Sequence, residues 1–224
     1  QVLPTQDIPL SMMRKTIGKR LLESAQNTPV FFVTQKIEVD ALAKLRSDLH
    51  RGPNLKVSVN DIVVKAVAFA LRRHPAVNSA FHGDFIRQHS NIDIGIAVDT
   101  GDGLLVPVLR NVEKRAPDDL AAALRKLIQD TRERKVPPED LRANTITLSN
   151  FGPIAGRYAS PIVLPPTVAI VGAGRIRDEV VAFNGEPAVH RMLPLSVTFD
   201  HRAVTGGEAG RFMGAMIADL QQPD

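Results

Sequence analysis

Cysteine and tryptophan are both absent from this chain of 224 residues. Without cysteine there can be no disulfide, no thiolate metal site and no cysteine nucleophile. Any thiol chemistry must therefore be brought by a substrate or cofactor. Aromatic residues make up 4% of the chain and cluster nowhere with basic residues, which argues against a nucleic-acid surface. Long apolar runs are missing too. The longest, residues 162–174, is interrupted by Pro165 and Pro166, whereas a membrane span needs about 20 uninterrupted residues.

A hydrophobic content of 44% with 23% charged residues suits a soluble globular chain long enough to bury a sizeable core. The net charge of +4 reads either as a plain basic surface or as attraction for a polyanionic, phosphate-bearing ligand. Residues 1–10, with two prolines, read as the end of a linker, and residues 11–224 as one domain.

Hydrophobic periodicity predicts helices over 11–25, 41–49, 59–73, 120–134 and 208–220, with Asp40, Asn60 or Asp61, and Asp118 as helix-opening residues. Strands are predicted over 30–39, 92–98, 104–109, 145–149 and 168–172, with a turn at 99–103. Residues 180–183 and 189–199 read as a hairpin turned at Asn184-Gly185. Helices interleaved with a mixed sheet predict an α/β fold, a two-layer sandwich.

Of six histidines, His201 alone has a site-like setting. An alternating strand (Leu195, Val197, Phe199) runs into Asp200, His201 and Arg202, with Gly206 and Gly207 before a helix. That layout presents an imidazole at a rigid strand end, where it can act as a base. His82 and His89, like His50, fall in polar stretches and read as solvated, His74 sits before Pro75 at a helix end, and His190 alternates outward. No metal-ligand spacing surrounds His201, so no metal is expected. A second constellation, Ser149-Asn150-Phe151-Gly152 at a strand end, can offer hydrogen-bond donors to a carbonyl, or can simply be a turn. Gly172 and Gly174 lack the third glycine and following helix of a dinucleotide loop.

The segment from Asp200 to Gly206 resembles the Asp-His-Arg-x-x-Asp-Gly signature of the 2-oxo acid dehydrogenase acyltransferases, except that Thr205 replaces the last aspartate. The likeness extends through Arg14 to Ser24, Val57 to Ala66, Pro75 to Ser79, Ile94 to Thr100, Gly103 to Val108, Leu148 to Gly152 and Pro165 to Ile170.

The resemblance implies a chloramphenicol acetyltransferase-like, trimer-forming fold with active sites between subunits. It implies coenzyme A and a lipoyl group carried on a separate domain as substrates. His201 becomes the general base and Ser149 the oxyanion donor, with Arg46, Ser58, Asp99, Asn150 and Gly174 as coenzyme A contacts. A serine at 149 favours acetyl or branched-chain groups over succinyl. The resemblance further implies lipoyl and subunit-binding domains upstream, and through them dehydrogenase and dihydrolipoamide dehydrogenase partners. It allows a larger cubic or dodecahedral core, and a cytoplasmic location before a mitochondrial one, with no nucleic acid and no membrane. A non-catalytic core subunit, marked by Thr205, is the alternative. Without the aspartate, rigidity around His201 is in question.

Overall fold

A strand of 15 residues, Glu186–Asp200, is the axis about which the fold is arranged. The computed structural model describes residues 5–49, 57–101, 103–154 and 156–222. Helix α1 (Met12–Asn27) leads to strand β1 (Val30–Glu38) and helices α2 (Asp40–Leu49) and α3 (Val59–Arg73). Short strands follow: β2 (Ser79–Phe81), β3 (Ile86–Gln88), β4 (Ile94–Ile96), β5 (Val98–Asp99), β6 (Leu104–Leu105) and β7 (Val108–Leu109). Helix α4 (Pro117–Arg132) precedes β8 (Ile146–Asn150), β9 (Ala169–Ala173), β10 (Arg177–Phe183), β11 (Glu186–Asp200) and α5 (Gly206–Gln221).

The main sheet has seven strands in the order β1-β11-β9-β8-β4-β7, with β10 paired to the first half of β11. Strand β8 runs parallel to both β4 and β9, and the remaining pairs are antiparallel, so the sheet is mixed. Its second half explains the run of apolar and small residues in β11: from Met192 to Asp200 every residue is buried, being flanked by β1 and β9 and covered by helices. Val63, Val67 and Leu71 of α3 pack with Phe212 and Met216 of α5 into one core with Leu195 and Phe199.

Several boundaries differ from the sequence expectation, each for a local reason. Ser58 caps α3, not Asn60 or Asp61; Asp61 completes a capping box from the third helical position. Pro117 opens α4, where its missing N–H costs nothing, so Asp118 lies inside the helix. Asp40 is the first residue of α2, and its carboxylate turns to the Arg191 N–H and to His190 Nδ1. Residues 92–98 do not form one strand. The Ala97 N–H still reaches Leu148, but Val98 leaves the main sheet to pair with Leu105. Residues 104–109 likewise split, at Val106 and Pro107. The β2–β3 hairpin, turned at Gly83 with φ +81°, was not predicted. The β10–β11 hairpin was, and Asn184 (φ 51°) and Gly185 (φ 87°) give its turn the left-handed pair that suits strand twist.

Candidate active site

The chain around His201 is held from three sides. The His201 N–H donates to Pro29 O at 2.9 Å, which extends the β1–β11 pairing past the formal end of the strand. The buried Asp200 carboxylate accepts from Arg202 Nε at 2.9 Å, Arg202 Nη2 at 2.7 Å and the Arg202 N–H at 3.0 Å. Arg202 Nη1 donates to Asn27 O at the end of α1, and the guanidinium lies 4.2 Å from the centre of the Phe81 ring. The Asp200 hydrogen bonds hold the Arg202 pKa above its ordinary value, so this pair stays ionised. The His201 ring packs on Phe31 with centroids 4.4 Å apart and the planes tilted by 43°, and neither ring nitrogen bonds to any described residue. The residue is exposed. An imidazole fixed in place with both nitrogens open is suited to proton transfer with an arriving group.

Thr205 accounts for the missing family aspartate. It is the N-cap of α5: its Oγ1 accepts from the Glu208 N–H, while its own N–H and hydroxyl donate to Glu208 Oε2 at 2.8 Å and 2.7 Å. The turn after His201 is thus anchored to a helix by a capping box, a tie that does not need the aspartate.

Ser149 lies next to the end of β8, half-buried, and its hydroxyl makes no hydrogen bond among the described residues. Asn150 is hydrogen-bonded at both ends of its amide. Its Oδ1 accepts the Gly152 N–H at 2.9 Å, and its Nδ2 donates to Asn60 Oδ1 on α3. The turn that follows packs against the end of β9 so tightly that a Cβ on Gly152 would lie 2.7 Å from Gly174 O. Gly174 is itself buried against Arg157 O and Pro194, which requires its lack of a side chain.

The sheet register decides how the two constellations relate. Ser149 pairs with Gly172, and Gly172 with Ser196 of β11. His201 lies five residues beyond Ser196, roughly 16 Å along the strand at about 3.3 Å per residue, and two strand spacings of about 4.8 Å to the side. Ser149 and His201 of one chain therefore stand at opposite ends of the sheet and cannot touch the same reacting atom. A depression bordered by Ala76, Ile86, Gln88, Ala203 and Glu208 adjoins the turn after His201 but includes neither residue.

The remaining predicted residues are spread over the Ser149 end and the loops. Ser58 is exposed and donates its hydroxyl to Asp61 Oδ2 at 2.7 Å. Arg46, in the last turn of α2, is exposed and donates through Nε to Val57 O at 3.1 Å. Asp99 is exposed and accepts the Gly101 N–H at 2.9 Å. Among the described residues, one group of carboxylates and imidazole has donor atoms within 4.8 Å of one another: Glu38, Asp40 and His190. Internal bonds account for it, since Glu38 accepts the Asp40 N–H while Asp40 accepts the Arg191 N–H and meets His190. His190, expected to face outward, is instead half-buried against Asp40 and the Phe183 ring. His82 is exposed as expected, whereas His89 is half-buried, and burial together with Arg87 pushes its pKa down. His50 lies outside the described residues.

A mixed sheet whose long strand ends at an exposed histidine defines the chloramphenicol acetyltransferase-like fold class. A chloramphenicol acetyltransferase structure matches with a TM-score of 0.59 over 91% of this chain and 94% of its own at 13% identity, a likeness of fold. The sequence narrows this further. Residues 3–224 match the family of 2-oxoacid dehydrogenases acyltransferase (catalytic domain), and the chain belongs to that family.

Among curated relatives, the chain is 35% identical over 225 residues to the dihydrolipoyllysine-residue acetyltransferase component of the pyruvate dehydrogenase complex of Zymomonas mobilis, covering 98% of this chain and 51% of that protein. It is 36% identical to the mitochondrial counterpart of Schizosaccharomyces pombe, over 97% of this chain and 46% of the relative. It thus spans about half the length of these relatives. Among solved structures, a probable dihydrolipoamide acetyltransferase of Listeria monocytogenes matches with a TM-score of 0.92 at 28% identity, over 97% of this chain and 95% of that one. The dihydrolipoamide acetyltransferase of Azotobacter vinelandii, studied for the role of a serine, a histidine and an asparagine in its catalytic mechanism, matches with a TM-score of 0.92 at 29% identity, over 97% and 92%. That serine and histidine are separated by the same interval as Ser149 and His201, and the asparagine falls four places after the histidine, as Thr205 does here. No helix among the described residues is long and apolar enough to cross a membrane.

Proposed function

We propose that the chain transfers an acyl group, acetyl by preference, between coenzyme A and dihydrolipoamide carried on a lipoyl domain. The carrying observation is the His201 ring, held by Asp200, Arg202, Pro29 and Phe31 with both nitrogens open. The names of the two relatives above, both acetyltransferase components, support the choice of acetyl. The site is completed between protomers: His201 of one faces Ser149 of its neighbour in a trimer. The separation of these residues within a chain and the trimeric habit of the fold support this. A match of TM-score 0.92 to the cubic core of a pyruvate dehydrogenase multienzyme complex supports assembly into a larger core.

The chemistry follows from ordinary acidities. A thiol titrates near ~8.5 and imidazole near ~6.5, so complete proton transfer between unperturbed groups is uphill by roughly 2.7 kcal/mol, small beside the barriers enzymes remove. The unprotonated His201 nitrogen takes the thiol proton as sulfur attacks the thioester carbonyl. The carbonyl π electrons move onto oxygen, and the Ser149 hydroxyl donates to that oxyanion. Collapse of the intermediate expels the second sulfur, which recovers the proton from the imidazolium. Arg46, Ser58, Asp99, Asn150 and Gly174 border the coenzyme A path. Asn150 and Gly174 act there through the backbone shape they impose, since the Asn150 amide is bonded internally and Gly174 is buried.

The test is turnover of the full-length protein with dihydrolipoamide and acetyl-, isobutyryl- or succinyl-coenzyme A, beside His201→Ala. Acetyl transfer well above that control is expected. Equal rates in the two proteins would leave the chain a structural core subunit.

A further inference from the structure

We infer that Asn60, at the start of α3, is a positioning residue for Ser149. The inference rests on the proposed oxyanion role of Ser149. Asn60 is not needed as a helix cap, because Ser58 performs that function with Asp61. Its Oδ1 instead accepts from Asn150 Nδ2, across 90 positions of sequence.

The direction of this bond is fixed by a donor that cannot reverse. The backbone N–H of Gly152 requires Asn150 to present Oδ1 to it, so Nδ2 points to Asn60, which must present its own oxygen. The Asn150 side chain thereby joins three things: the last residue of β8, the turn at Gly152 and the first turn of α3. Beyond that turn nothing can yield, because Gly152 lies against the backbone of Gly174 and the Phe151 N–H donates to Ala173 O at 3.0 Å.

Ser149 is the residue next to this clamp, and its hydroxyl is left without a bond. An oxyanion donor contributes most when its place is set before the charge develops. Asn60 sets that place from a helix packed into the core through Val63 and Val67. It also ties Ser149 to the segment carrying Ser58, so the donor and that part of the proposed coenzyme A path move as one body.

The test compares Asn60→Ala with Asn60→Asp in the assembled full-length protein. Aspartate keeps an acceptor for Asn150 Nδ2 and suits a helix N-terminus. Asn60→Ala is expected to lower kcat for acetyl transfer by roughly tenfold with KM for coenzyme A within about twofold, since an imprecisely placed donor weakens the transition state more than the ground state. Asn60→Asp is expected to restore most of kcat, and the melting temperatures of both should stay near wild type. Wild-type kcat in Asn60→Ala would overturn the positioning role, as would a loss in both variants that tracks melting temperature. A wild-type protein no faster than His201→Ala would overturn the transferase reading itself, an outcome distinct from either.

Discussion

Arg202 grips Asp200 with its Nε, its Nη2 and its own backbone N–H, on a carboxylate that is 1% exposed. The pair sits on either side of His201, so the strength of the grip decides how still the imidazole is. Replacing Arg202 with Met should leave a buried carboxylate without its partner and destabilise the protein by about 3–5 kcal/mol. Denaturant unfolding measures this, and a loss below about 1 kcal/mol would mean that water replaces the guanidinium.

Thr205 and Glu208 cap each other, which gives a second measurable contribution. Thr205→Ala should cost about 1 kcal/mol, and Thr205→Ser should cost little, because serine keeps both the capping oxygen and the hydroxyl that donates to Glu208. Thermal melting of the two variants separates them. Near-equal losses would show that Thr205 contributes something other than a cap.

The same capping box sets a pH dependence. Hydrogen bonds from the Thr205 N–H and hydroxyl hold the Glu208 pKa below the usual glutamate value. A carboxyl with a depressed folded pKa contributes stability above its unfolded pKa, and that contribution vanishes as pH falls through the folded value. Glu208→Gln should therefore be destabilising at neutral pH and nearly silent below the carboxylate range. A constant difference across pH would remove the ionised Glu208 from the account.

Two dead variants should rescue each other. His201→Ala retains Ser149, and Ser149→Ala retains His201, so an interface with one parent on each side can be intact. Random mixing in a cyclic trimer makes about a quarter of the sites whole. Co-expression followed by turnover measurement checks this, and activity no higher than that of either parent would place both residues in one chain's site.

Gly152→Ala puts a methyl group 2.7 Å from the Gly174 carbonyl oxygen, where only backbone could move. A destabilisation of about 1–3 kcal/mol is expected. A larger fall in kcat than in stability would follow from displacement of Ser149, and the two are read by assay and by melting.

Much of this was legible in the residues. Asn184-Gly185 announced its hairpin because the turn needs left-handed backbone at both positions. The apolar stripe of α3 announced a core helix, and the alternation up to Phe199 announced a strand that ends beside His201. What stayed hidden depends on partners distant in sequence. The Asn60–Asn150 bond joins residues 90 positions apart, and neither asparagine signals the other. Strands β2 and β3 are three residues each, too short for alternation to show. The run at 92–98 reads as one strand because periodicity cannot show that its two halves find different partners.

On the proposed assignment, with the base at one end of the sheet and the oxyanion donor at the other, reactivity falls under the control of neighbours. Dilution below the dissociation constant of the assembly would then silence every copy at once, however well each remains folded. A single gene copy encoding a faulty His201 would also damage reaction centres whose serine comes from sound chains. Selection acting on the chemistry must then act equally on the surfaces by which the copies meet.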